Sequence, residues 1–211
     1  MSMDIVKAIL ADTQNMPPIT AMGYEYLVAG NGLFIRAENA RLEACVPVAT
    51  ARLYRLPGVE PFAHLKVPRV PYQLLWRIFH DARRQLPNEA MYQFVRGNHA
   101  WSLYRPNQKQ AIFSLSFDDE AEAVIDLHSH GSLGAFFSNT DDADEQGLRF
   151  YAVIGHVDDD MPEIRCRVGV YGHHWNVPAN TVFDGLGRFR DEFGSFDGKE
   201  YLDLALATVN G

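Results

Sequence analysis

The segment EAVIDLHSHGSLGAFFSNTDD, residues 122–142, cannot be a single element of secondary structure. An apolar run ends in two histidines one residue apart, a glycine-containing stretch follows, and a serine then stands ahead of a cluster of acids. The first part reads as a strand and GSLG as a turn. Ser138-x-x-Asp141 has the spacing of a capping box, in which a serine and an acid satisfy the free amides of a helix N-terminus. The stretch is therefore a strand that turns and reopens as a capped helix, which commits the chain to a fold mixing sheet and helix.

The flanking sequence agrees. GYEYLVAGNGLFIRAENARLEACVPVATARLYRLPG alternates apolar and polar residues around Asn31-Gly32, a dipeptide suited to a hairpin turn, so residues 1–68 read as a small β-rich N-terminal region. VEPFAHLKVPRVP carries prolines that remove ladder donors and favour extended backbone, and reads as a connector with a boundary near Pro68. PYQLLWRIFHDARRQ opens on Pro71, which a first helical turn tolerates, and groups Leu74, Leu75, Ile78 and Phe79 on one helix face. PNEAMYQFVRG and HAWSLYRPN read as strands about a Gly97-Asn98 turn, QAIFSLSF and EAVIDLHSH as a second pair, and FYAVIGHV and EIRCRVGVY as a hairpin across DDDMP. TDDADEQGLR reads as a short helix, and the tail from Thr181 resists assignment. This is an α+β or three-layer pattern, with the second domain running over residues 69–211.

The balance of charge narrows the partners. A net charge of -8 with no Lys/Arg run lacks the electrostatic footprint of a nucleic-acid binder. Cys45 and Cys166 fit neither a metal pair nor a disulfide framework. There is no leader-like N-terminus or run of membrane-spanning length, so a cytoplasmic protein is expected.

In a strand, residues i and i+2 point the same way, so His128 and His130 present two imidazoles to one point. A catalytic zinc takes three protein ligands and leaves a position for water. Asp141, in the first turn of the helix beyond the loop, is the candidate third ligand. The plainer reading makes Asp141 only half of the capping box; the two are compatible, because a cap fixes where the helix begins and so where Asp141 points.

The pattern His128-Ser-His130, seven residues, Ser138, two residues, Asp141 resembles the HxHx7SxxD motif of the JAB/MPN+ (JAMM) zinc metalloproteases, over roughly residues 71–175. Gly131, where most of that family has proline, together with AFFSNTDD and the β-rich N-terminal extension, is most similar to the PRTRC system protein A branch. The resemblance implies an MPN (cytidine-deaminase-like) core of mixed sheet flanked by helices, with Zn2+ held by His128, His130 and Asp141. It implies Glu89 as general base, chosen over Glu120 and Glu122 because it opens an apolar strand, and Ser138 as donor to the oxyanion. It further implies hydrolysis of a peptide or isopeptide bond, a ubiquitin-like protein as substrate, and ThiF-like and ubiquitin-like cassette proteins as partners. The alternatives are a catalytically silent MPN scaffold and a small-molecule metallohydrolase. His173-His174 reads as a loop pair beside Trp175, His64, His80, His99 and His156 as structural, and Asp142, Asp144 and Glu145 as complements to the helix dipole.

Overall fold

The computed structural model describes residues 4–12, 16–106, 108–110, 115–117 and 122–193. The N-terminal region is a five-stranded sheet in the order β1 (Val6–Leu10), β2 (Tyr24–Ala29), β3 (Gly32–Glu38), β4 (Leu42–Thr50), β5 (Phe62–Leu65). β1 runs parallel to β2 and every other pairing is antiparallel. The β2–β3 turn has its tip at Gly30-Asn31, one residue before the expected dipeptide. Asn31 there trades two 2.9 Å hydrogen bonds with the Val59 backbone, pinning the returning chain. β5 lies inside the stretch expected to be a pure connector, and its strand stops before Pro68.

Helix α1 (Tyr72–Gln85) buries Leu75, Ile78, Phe79 and Ala82, the i, i+3, i+4, i+7 stripe of an amphipathic helix. Pro71 offers it no side-chain cap. The Tyr72 amide instead donates to Asp184 Oδ1 at 2.6 Å, an acid brought from far along the chain to the positive end of the helix. β6 (Met91–Arg96) and β7 (Trp101–Tyr104) form the expected hairpin.

The second sheet has seven strands. Its main path is β13 (His173–Val177), β12 (Glu163–Val170), β11 (Leu148–Gly155), β10 (Ala123–Ser129), β6, β7, with β14 (Arg190–Asp191) beside β12. β8 (Gln108–Gln110) and β9 (Leu115–Phe117) pair with each other. The expected hairpin of residues 110–117 with 122–130 therefore does not form: both edges of β10 are taken, by β6 antiparallel and β11 parallel. Being central, β10 is buried along its whole length. The parallel step from β10 to β11 requires a crossover, and α2 (Asn139–Asp144) supplies it, ending well before the Arg149 expected from the acidic run. Residues 194–211 of the unassigned tail lie outside the described residues.

The chain is thus α+β, with mixed sheets and few helices. One apolar core joins Ile35, Ala37, Leu42, Ala44 and Val46 of the first sheet to α1 and to Phe94, Ile125, Leu127 and Phe150 of the second. The opposite face of the first sheet has its own small cluster around Leu27, Phe34 and Cys45. Beside it lies a buried ion pair, in which Arg36 Nη2 stands 2.5 Å from Glu25 Oε2.

Candidate metal centre

Alternation along β10 sends Ile125 and Leu127 into the shared core and Asp126 and His128 to the other face, and His130 continues that second row one residue past the strand end. The two imidazoles meet, with Nε2 atoms 3.1 Å apart. The chain then turns at Gly131, where φ is +59°, and Leu133 N donates back to the His130 carbonyl at 3.0 Å. This loop lies directly on β11: a Cβ added at Gly155 would stand 2.3 Å from the Ala135 nitrogen and the Gly134 carbonyl carbon. Glu163 Oε2 accepts from Ala135 N at 3.0 Å and fixes the loop's far side.

Ser138 is the N-cap of α2, and the full capping box is present. Asp141 N donates to Ser138 Oγ at 3.2 Å, and Ser138 N donates to Asp141 Oδ2 at 2.6 Å. The other oxygen of the same carboxylate, Oδ1, stands 3.4 Å from His128 Nε2. One oxygen caps the helix and the other stands beside His128, so the capping bond leaves an oxygen of Asp141 turned toward the histidine pair's first member.

Donor atoms of His128, His130 and Asp141 all lie within 4.8 Å of one another, the one such group of three or more His, Cys, Asp or Glu among the described residues. Two ligands at about 2.0–2.1 Å from a tetrahedral zinc stand about 3.3–3.4 Å apart, close to the 3.1 and 3.4 Å seen here. Protonation suits the same purpose. Burial drives His128 down to about 4, and lowers His130 as well, so both rings are neutral. The Gly134 carbonyl, 3.3 Å from His130 Nδ1, accepts the proton on that nitrogen and leaves the Nε2 lone pair facing the site. For Asp141, burial is outweighed by His128 and by the bonds from Ser138, so the carboxylate lies below its ordinary range and is ionised. Two neutral imidazoles and one carboxylate are a donor set that zinc accepts.

Glu89 precedes β6. The ladder pairs His128 with Met91, and Ser129 N then donates to the Ala90 carbonyl at 2.9 Å, while Ser129 Oγ receives Ala90 N. Glu89 directly precedes Ala90 in the chain, and burial, with Asp141 nearby, pushes its carboxyl up to about 7. Glu122 is instead an exposed partner of Arg41, and Glu120 lies outside the described residues. Phe136 is half exposed and packs edge-on against His130, with ring centres 4.4 Å apart.

Two expectations need correction. His173 and His174 lie in a strand, not a loop, and so face opposite sides: His173 Nε2 is 3.5 Å from the Tyr26 hydroxyl of the first sheet, and His174 Nε2 is 3.0 Å from the Glu145 carbonyl. Glu145 is the C-cap of α2, the wrong end for an acid to complement the dipole, and together with Asp142 it binds Arg167 of β12 instead. Arg167 was not foreseen; its only signal was a charged residue inside the strand EIRCRVGV.

No curated protein matches the chain. A solution structure of a protein from Desulfitobacterium hafniense is similar with a TM-score of 0.40 at 13% identity, covering 61% of this chain and 96% of that one. Residues 71–168, the stretch that carries α1, Glu89, both histidines, Ser138, Asp141 and Arg167, match the family model for prokaryotic homologs of the JAB domain.

Proposed function

We propose that this protein is a zinc-dependent hydrolase of peptide or isopeptide bonds, of the JAMM type, built on an MPN (cytidine-deaminase-like) core and most similar to the PRTRC system protein A branch. The observation that carries the reading is the convergence of His128, His130 and Asp141 on one point, beside a glutamate whose carboxyl is raised, within a segment that matches the JAB family.

Zinc bound by these three residues would lower the pKa of water toward neutrality and polarise the scissile carbonyl. The residues of the chain do the rest. Glu89, with its carboxyl near the working pH, is suited to take the proton of the attacking water and pass it to the leaving amine. Ser138 Oγ accepts a bond from Asp141 N, which leaves its own hydroxyl proton free to donate where negative charge develops on the substrate oxygen. A ubiquitin-like tail as substrate, ThiF-like and ubiquitin-like cassette partners, and a cytoplasmic location complete the proposal. Among the described residues no helix is long and apolar enough to cross a membrane.

The deciding experiment is metal content measured beside peptide turnover, including ubiquitin-like fusions. Stoichiometric zinc with hydrolysis supports the proposal, and failure to take up zinc on reconstitution sinks it. Zinc without hydrolysis of any such substrate favours the silent scaffold.

A further inference from the structure

We infer that Arg167 is a positioning residue of the metal centre: it holds α2, and with it Ser138 and Asp141, against the sheet that carries the histidines. The inference rests on the metal-dependent reading above and deepens it.

α2 has the sequence NTDDAD and buries none of its residues. A helix without an apolar stripe cannot be placed by hydrophobic packing, and six residues are too few to persist unaided. Polar anchors must therefore set its position. The Ser138 cap fixes where the helix begins, but it is local and travels with the helix. The long-range anchors converge on Arg167, which is 5% exposed.

Arg167 Nη1 donates to Asp142 Oδ1 at 2.6 Å, and Nε donates to Glu145 Oε2 at 2.7 Å. Its guanidinium carbon lies 3.9 Å from the centre of the Phe137 ring. Phe137 directly precedes Ser138, and Asp142 directly follows Asp141, so one side chain grips the chain on both sides of the Ser138–Asp141 box. His174, through the Glu145 carbonyl, steadies the far end. The grip also offsets the crowding of Asp141, Asp142, Asp144 and Glu145 within five consecutive positions. A lysine cannot replace it, because a single ammonium has neither the planar fork that serves two carboxylates nor the flat face that stacks on Phe137.

The test is zinc affinity of the metal-free protein, measured by competition with an indicator chelator, and the visible absorption of the Co2+-loaded protein. The wild type comes first: if it takes up no zinc, the metal reading itself has failed. Given a wild type that binds, Arg167→Lys should bind zinc about 10–100-fold more weakly, as outer partners of ligands typically do. Its Co2+ bands should also change as Asp141 loosens. Asp142→Asn alters a half-exposed side chain and should show a smaller loss in the same direction, so it decides the matter if Arg167→Lys does not fold. Asp184→Ala, which removes the remote cap of α1, is the control, lowering Tm and leaving zinc affinity unchanged. Wild-type affinity and spectrum in Arg167→Lys and Asp142→Asn would overturn the inference, as would an equal loss in Asp184→Ala.

Discussion

His128 and His130 hold their Nε2 atoms 3.1 Å apart with the Asp141 carboxylate 3.4 Å from the first of them, so His128 stands as close to each of the other two donors as ligands of one small ion do. Removing one donor leaves two, too few to hold zinc tightly. His128→Ala, His130→Ala and Asp141→Asn should each lose stoichiometric zinc, checked by elemental analysis after dialysis. Full retention in any one of them would remove that residue from the ligand set.

Glu89 can accept a proton only as the carboxylate. Burial and Asp141 push it up to about 7 in the metal-free site, so turnover should fall as pH drops through the value for this group. A bound dication stabilises the carboxylate and moves that acid limb below about 7. Glu89→Gln should lower turnover by about 10²–10⁴-fold while zinc content stays at the wild-type level. An unchanged pH profile in Glu89→Gln would assign the base elsewhere.

The loop between β10 and α2 rests on Gly155 with no room for a methyl group: the nearest atoms are backbone, at 2.3–2.5 Å from an added Cβ. Gly155→Ala must push residues 133–135 outward. The expected cost is about 1–3 kcal/mol of stability, with weaker zinc binding, because the displaced loop carries the Gly134 carbonyl that orients His130. Thermal denaturation and chelator competition on one preparation would read both effects.

In the first sheet, burial alone would raise the Glu25 carboxyl, but the Thr20 and Ala21 amides and Arg36 outweigh it and hold the group below its ordinary value of 4.5. A carboxyl lowered in the folded state contributes stability above its unfolded value, and that stability is lost as pH falls through the folded one. Unfolding free energy should therefore decline on acidification below about pH 4.5, and Glu25→Gln should flatten that dependence. The variant should also cost about 3–5 kcal/mol at neutral pH, because it strands the buried Arg36 charge; chemical denaturation across pH would measure both.

Local pattern made much of the site readable. Period-two alternation aligned His128 with His130, and the Ser138–Asp141 spacing located the helix start, because both signals lie within a few residues and depend on backbone geometry alone. Position across strands was harder. Glu89 comes near Asp141 from the residues just ahead of β6, a strand paired with β10, and no spacing in the sequence reveals that pairing. Arg167 reaches α2 from a strand that follows it, and Asp184 caps α1 across 112 positions of sequence. The hairpin expected for residues 110–117 and 122–130 failed for the same reason: adjacency in sequence suggested a partner, while the centre of the sheet had already engaged both edges of β10. His173 and His174 read as a loop pair beside Trp175, yet the ladder to β12 continues through both.

The core that Ile35, Leu42 and Val46 share with Phe94, Ile125 and Leu127 has a consequence for descent. The leading sheet cannot be gained, lost or exchanged as a cassette without exposing the apolar floor beneath the histidine strand. Lineages carrying this arrangement should inherit the two sheets together, and a change of side-chain volume at Leu42 or Val46 should be answered by compensating changes in α1 or β10 rather than within its own sheet.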